Sequence, residues 1–225
     1  MTILVFGASG ALGSSIAEEL LLEGKSVVKV SRTKSELSDV CLTAEDWIEK
    51  SLEHGAITGI VWAQGVNSSG TVPTIPLDDL RNAFEANVVF IVDTLNQLLQ
   101  KNALEAGVRC VALSSIWQEY ARPNKLAYIA SKASLSGLIP ALAIDLAEIG
   151  VAINGVLPGV IDTPMTRANL SDVQIRNVQN STPNSLLASP KNVSRTVSWL
   201  LSGDSEGITG QWIIVDNGWS VYRNV

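Results

Sequence analysis

Three groups of residues in this 225-residue chain have the types and spacing to do chemistry. The first is Tyr128-Ile-Ala-Ser131-Lys132, where a phenol and an amine stand four residues apart and so share one face of a helix. A phenol is useful as a general acid or base only if its pKa moves from about 10 toward the working pH, and a nearby ammonium favours the phenolate. Ser115, thirteen residues before Tyr128 and just beyond an apolar run, is placed to hydrogen-bond a substrate oxygen. The second group is Gly7-Ala8-Ser9-Gly10-Ala11-Leu12-Gly13, between an N-terminal apolar run and a helical pattern. Strand, glycine turn and helix in that order allow a tight turn, close backbone approach and free N–H groups for a pyrophosphate. The third is Ser31-Arg32, directly after the second strand-like run. In a dinucleotide fold the adenosine ribose is read there. An acid at that point suits the 2′-hydroxyl of NAD and an arginine the 2′-phosphate of NADP. No Asp or Glu ends that run, so NADP(H) is expected over NAD(H).

Groups so far apart in sequence need a scaffold to bring them together. Strands are expected near 2–7, 26–30, 38–42, 58–63, 108–114, 151–157 and 211–216, and helices near 11–23, 44–54, 77–102, 125–149 and 190–202. Continuous apolar strands alternating with helices predict an α/β fold: a doubly wound parallel sheet of about seven strands, a Rossmann fold, with helices on both faces. No repeat or linker divides the chain, so 1–225 reads as a single domain. Only Ser31 to Leu37 separate the second and third strands, too few for a covering helix, so a shortened crossover is expected. The polar stretch from Thr163 to Ser189 predicts a loop with one or two short helices beside the substrate.

Composition narrows the functions further. A net charge of −6 argues against nucleic acid or an anionic membrane as partner, and a small molecule is expected instead. The N-terminus lacks the basic segment of a signal peptide, and no uninterrupted apolar stretch has the length of a span, so the expected location is the cytoplasm. Cys41 and Cys110 read as reduced packing residues. His54, the only histidine, lies among charges at a helix end, where a surface residue is expected.

Taken together, the glycine loop, Ser115, Tyr128 and Lys132 resemble the short-chain dehydrogenase/reductase family, in its compact single-domain form. Further landmarks that resemble it are Asn87 in Phe84-Glu85-Ala86-Asn87-Val88, Pro158-Gly159-Val160-Ile161-Asp162-Thr163-Pro164-Met165, Asn154, and Thr209-Gly210-Gln211 with Val215-Asp216-Asn217-Gly218. The resemblance implies an enzyme moving a hydride between nicotinamide and a carbonyl or alcohol carbon. It implies a tetrad of Asn87, Ser115, Tyr128 and Lys132, with Asn87 near a proton-relay water and Lys132 lowering the tyrosine pKa and binding the nicotinamide ribose. Cofactor contacts are implied at Gly7, Ser9, Gly10, Ala11, Leu12, Gly13, Ser31, Arg32, Ala63, Gln64, Gly65, Tyr128, Lys132, Pro158, Gly159, Val160, Ile161 and Thr163. Substrate contacts are implied at Ser115 and Tyr128, and Trp117 joins them, with Tyr120, Trp219 and Tyr222 as further candidates for an aromatic wall. A homotetramer is implied, with a homodimer next, through the helices near 77–102 and 125–149 and through the last strand with the helix near 190–202.

The chain departs from the family pattern at several points. Its glycines are spaced Gly-x-x-Gly-x-x-Gly where compact members show Gly-x-x-x-Gly-x-Gly, and Trp62-Ala63-Gln64-Gly65 stands where Asn-Asn-Ala-Gly is usual. The acid that often flanks the adenine after the third strand falls at Asp39 or is replaced by Cys41, and Asp216-Asn217-Gly218 replaces Asp-Gly-Gly. Two other readings compete: an epimerase or dehydratase acting on nucleotide sugars, and a non-catalytic dinucleotide sensor or scaffold. The substrate is open among 3-oxoacyl thioesters, sugars, quinone-like rings and secondary-metabolite ketones.

Overall fold

The computed structural model describes residues 2–31, 39–41 and 46–223. The strands in chain order are β1 (Thr2–Phe6), β2 (Ser26–Ser31), β3 (Val40–Cys41), β4 (Ile57–Trp62), β5 (Leu104–Leu113), β6 (Ala152–Pro158) and β7 (Trp212–Val215). The helices are α1 (Ala11–Leu22), α2 (Trp47–Leu52), α3 (Leu77–Phe84), α4 (Phe90–Gln100), α5 (Leu126–Asp145), α6 (Pro164–Asn169), α7 (Asp172–Asn180) and α8 (Pro190–Leu200).

All these strands are parallel and lie in one sheet ordered β3-β2-β1-β4-β5-β6-β7. Side chains of a strand alternate between faces, so a strand covered on both sides must be apolar at every position. In β1, Leu4 and Phe6 pack on one face with Trp62 of β4, Trp47 of α2, Ile91 and Leu95 of α4, and Leu135 and Ile139 of α5. Ile3 and Val5 pack on the other with Val61 and with Ile16, Leu20, Val193 and Val197 of α1 and α8. The chain winds outward from β1 to β3 and then returns to place β4 beside β1. At that reversal the loops after β1 and β4 diverge and leave a crevice at the carboxyl edge. Gly7, Ser31, Ala63, Ser115 and Gly159 all follow or end strands on this edge.

Several elements differ from expectation for local reasons. The single helix expected at 77–102 is α3 and α4 joined by a π-helical turn, Glu85–Val89. The helix expected to reach 149 ends at Asp145, and Ala147–Ile149 form a 3-10 turn closed by left-handed Gly150. β5 begins at Leu104, four residues before the apolar run, and passes through left-handed Gly107. Of the expected third strand, Val40–Cys41 pair with β2, while residues 32–38, where a bare crossover loop was expected, lie outside the described residues. The stretch after Thr163 does carry two short helices, α6 and α7. α5 is the one helix, among the described residues, with the length and mean hydropathy (1.4) of a membrane span, although Ser131, Lys132, Ser134 and Ser136 interrupt its apolar run. It packs Leu135, Ile139 and Ala143 into the core and buries Lys132. Cys110 is buried and Cys41 partly so. His54 is exposed after α2.

Candidate active site

The glycine loop forms because no other residue type fits it. Gly7 has φ +77°, and a methyl there would lie 2.6 Å from the backbone nitrogen of Gln64. A methyl on Gly13 would run into the Gly7 carbonyl oxygen. Gly10 N–H donates to the Gly7 carbonyl (3.0 Å), and Gly10 caps α1 with no side-chain acceptor. The N–H groups of Ala11, Leu12 and Gly13 open the helix ahead of its first i→i−4 bond, from Ser14 to Gly10 (2.8 Å). With no acid in that first turn, the positive end of α1 is presented to the crevice beside exposed Ser9. These features fit a bound dinucleotide: the loop closes by hydrogen bonds of its own, and no side chain caps the first N–H groups of α1. Ser31, at the end of β2, is partly buried, and Arg32 lies outside the described residues.

The next loop keeps its backbone approach despite its changed sequence. Ala63 N–H donates to the Phe6 carbonyl (3.0 Å), so the loops after β1 and β4 are joined. Gln64, where the family has a different side chain, reaches the Ala86 carbonyl at 3.5 Å with Nε2, and its Oε1 is buried without a partner. Gly65 is needed for space: a methyl there would lie 2.9 Å from Asn87 Oδ1 and 3.6 Å from Lys132 Nζ. Asn87, 1% exposed in the π-helical turn, is fully engaged through its side chain. Its Oδ1 accepts from Val66 N–H (2.9 Å), and its Nδ2 donates to the Val66 carbonyl (3.2 Å) and Ser131 Oγ (2.8 Å). Asn87 therefore ties the β4 loop to α5. Ser131, its partner, lies inside the Tyr128–Lys132 motif, where neither spacing nor pattern marks it.

Ser115, Tyr128 and Lys132 are brought together by β5 and α5. Ser115 follows β5 in extended conformation, and its hydroxyl accepts from Trp117 N–H at 3.3 Å. Lys132 is 4% exposed, and its Nζ donates to the Leu113 carbonyl at 2.8 Å. Burial lowers its pKa to about 8. Burial also raises the Tyr128 hydroxyl above its ordinary value, while a hydrogen bond with Ser115 pulls it the other way. The expected lowering of Tyr128 by Lys132 is not what dominates. Burial dominates, and the lowering that opposes it comes from Ser115, while the Lys132 amine is itself driven toward neutrality and directed at Leu113. Ser114 Oγ, next to Ser115, is buried without a partner.

The far side of the crevice is the 158–163 segment. Gly159 N–H donates to the Val215 carbonyl (3.0 Å), and a methyl on Gly159 would lie 2.7 Å from Asp216 Cβ. Ile161 pairs with Ala188, and Thr163 caps α6, its hydroxyl accepting from Thr166 N–H at 3.2 Å. Asp216 in turn accepts from Gly218 N–H (2.8 Å) and Ser220 N–H (2.7 Å), holding the C-terminal turn. That turn brings Trp219 edge-on to Trp117 (5.6 Å, 71°) and Tyr120 (5.6 Å, 89°), while Tyr120 Oη donates to the Ser220 carbonyl (3.2 Å). Beyond Trp219 lies an open cleft of about 560 Å³ walled by Tyr120, Asn180, Ser181, Trp219, Tyr222 and Arg223. Arg122 lies over the Trp117 ring, 5.4 Å from its centroid. Sequence reasoning missed both Arg122 and the role of Asp216, although Arg122 sits between Ser115 and Tyr128.

Known proteins resemble this chain in sequence and fold. A family model described as enoyl-(acyl carrier protein) reductase matches residues 38–220. The chain is 28% identical over 243 residues to the uncharacterized oxidoreductase YmfI of Bacillus subtilis (strain 168), covering 97% of this chain and 98% of that one. It is 25% identical over 233 residues to the 3-oxoacyl-[acyl-carrier-protein] reductase FabG of Salmonella typhimurium, covering 96% and 95%. Among solved structures, the ligand-free aldohexose dehydrogenase of Thermoplasma acidophilum superposes with a TM-score of 0.87 at 24% identity, covering 100% of this chain and 95% of the other.

Proposed function

We propose that this chain, which belongs to the short-chain dehydrogenase/reductase family, is an NADP(H)-dependent reductase of a small carbonyl compound. The observation that carries the reading is Lys132, buried on α5 one helical turn from Tyr128 and bonded to the Leu113 carbonyl at the end of β5, two residues before Ser115 at the carboxyl edge of the sheet. In this reading the pyrophosphate rests on Gly7, Ser9, Gly10, Ala11, Leu12 and Gly13, and Ser31 and Arg32 read the ribose phosphate. Ala63 to Gly65, Tyr128, Lys132, Pro158 to Ile161 and Thr163 enclose the rest. The chemistry a bound nicotinamide contributes is a hydride for the carbonyl carbon. Tyr128 gives its phenolic proton to the carbonyl oxygen, and Ser115 hydrogen-bonds that oxygen as charge develops on it. Because burial keeps Tyr128 a neutral phenol, the acid needed for reduction is its resting form. Asn87 acts as a positioning residue that fixes the β4 loop against α5. The relative named as a 3-oxoacyl-[acyl-carrier-protein] reductase supports the same direction. A cytoplasmic homotetramer, or a homodimer, completes the reading.

Calorimetric titration with NADPH and NADH tests the cofactor assignment. Micromolar NADPH binding, much weaker NADH binding, and a loss of at least tenfold for NADPH alone in Arg32→Ala are expected. Equal loss for both cofactors shows that Arg32 is not the reader. Preference for NADH overturns the assignment.

A further inference from the structure

The six ion pairs among the described residues engage Lys25, Lys50, Arg81, Lys101, Arg167 and Arg195. Arg122 and Lys125, the two cations between Ser115 and Tyr128, are not among them. This contrasts with the chain as a whole, which has 22 acids for 16 Lys and Arg. Arg122 is partly buried, with its guanidinium against the Trp117 ring. The backbone N–H of Trp117 is bonded to the Ser115 hydroxyl, so the residue whose ring carries Arg122 adjoins the oxygen that would receive a substrate carbonyl. The nearest acid in sequence, Glu119, accepts instead from Gln118 Nε2 (3.0 Å).

Lys125 is the N-cap residue of α5, three positions before Tyr128. Its ammonium donates to neutral oxygens only, Asn67 Oδ1 and Ser69 Oγ, both at 2.8 Å. Its backbone is held in place from both sides: Gly70 N–H donates to the Asn124 carbonyl (3.2 Å) and Leu126 N–H to the Gly70 carbonyl (3.4 Å). Burial and the charge of Arg122 together lower its pKa, which shows that the two cations feel one another. Two neighbouring cations, with no carboxylate in an ion pair with either among the described residues, form a place where an oxyanion relieves their repulsion. A guanidinium flat against an indole keeps its N–H edge available to bind a carboxylate or phosphate with two hydrogen bonds.

We infer that the substrate is an anionic carbonyl compound, its carboxylate or phosphate held by Arg122 and Lys125 at the mouth of the Ser115–Tyr128 site and its carbon body against Trp117. This rests on the reductase reading for the carbonyl and on the two cations for the anion, and the two are separable. Matched ketones test it: 4-acetylbenzoate against 4-acetylbenzamide, and 4-acetylphenyl phosphate against 4-hydroxyacetophenone. Reduction is followed by NADPH oxidation, and binding to the NADPH complex by calorimetry. The protein prefers the anion in at least one pair by about tenfold, in kcat/KM and in affinity, as expected for a charged hydrogen bond. Arg122→Gln and Lys125→Gln each cut that ratio several-fold, and rising salt narrows it in the wild type. NADPH titration verifies that the variants are folded. Which pair shows the preference identifies the oxyanion. Equal handling of both pairs, or an unchanged ratio in both variants, overturns the inference and leaves the reductase reading standing. A preference in binding without turnover supports the anion site and overturns the reductase reading.

Discussion

At the residue scale, the site is governed by burial. Tyr128 and Lys132 are both shifted toward their neutral forms. For Lys132 this has a consequence for stability. Its folded pKa is about 8 and its unfolded value 10.5, so between these values the unfolded chain binds more protons. Stability therefore rises with pH across that window, as the cost of a buried ammonium is removed. Lys132→Met lacks this rise. Denaturant titrations from pH 7 to 10 are expected to show the wild type gaining on the variant by up to about 3 kcal/mol, at 1.36 kcal/mol per pKa unit. Parallel curves contradict the burial argument. The grouping of Ser115, Tyr128 and Lys132 was legible in the sequence because their spacing is local: Tyr128 and Lys132 lie on one helix, and Ser115 follows the strand before it. Arg122 was not, because stacking on Trp117 depends on a 3-10 turn that hydrophobic pattern does not reveal.

At the element scale, the crevice depends on loops that meet without side chains between them. Gly13→Ala is the direct test, since its methyl points at the Gly7 carbonyl. A fold destabilised by about 1–3 kcal/mol and NADPH affinity reduced at least tenfold are expected from denaturation and calorimetry. Unchanged affinity means the start of α1 is not where the dinucleotide rests. The central strands of the sheet were legible because a doubly covered strand is apolar on both faces, as Ile3 to Phe6 show. The π-helical turn at Glu85–Val89 was not, since one wide turn hardly alters the apolar spacing across 77–102. The early start of β5 was equally hidden, because Leu104-Glu105-Ala106-Gly107 has neither an apolar run nor alternation.

At the scale of the whole molecule, apolar surface remains on the helices expected to pair between subunits. Val89 and Val92 lie 44% and 42% exposed on the α4 side, and Ile144 of α5 is 77% exposed. Trp199 of α8 and Ile214 of β7 are also exposed, at 39% and 43%. Light scattering is expected to give two or four times the 23.9 kDa chain mass. A concentration-independent monomer contradicts the assembly reading and leaves these residues as ordinary surface. What pattern alone did not disclose at this scale is the return of the C-terminus. Asp216 must hold a turn before Trp219 meets Trp117, a pairing across about a hundred residues.

The central claim is that Tyr128 is the proton donor in carbonyl reduction. It is tested most directly by comparing wild type and Tyr128→Phe for single-turnover NADPH oxidation with a reducible ketone, alongside the NADPH dissociation constant of each. The account predicts a rate lower by about 10²–10⁴-fold, with cofactor affinity within about twofold of wild type, because the ring remains and only its hydroxyl is gone. A variant that keeps a tenth or more of the wild-type rate contradicts it, and the proton then comes from another group.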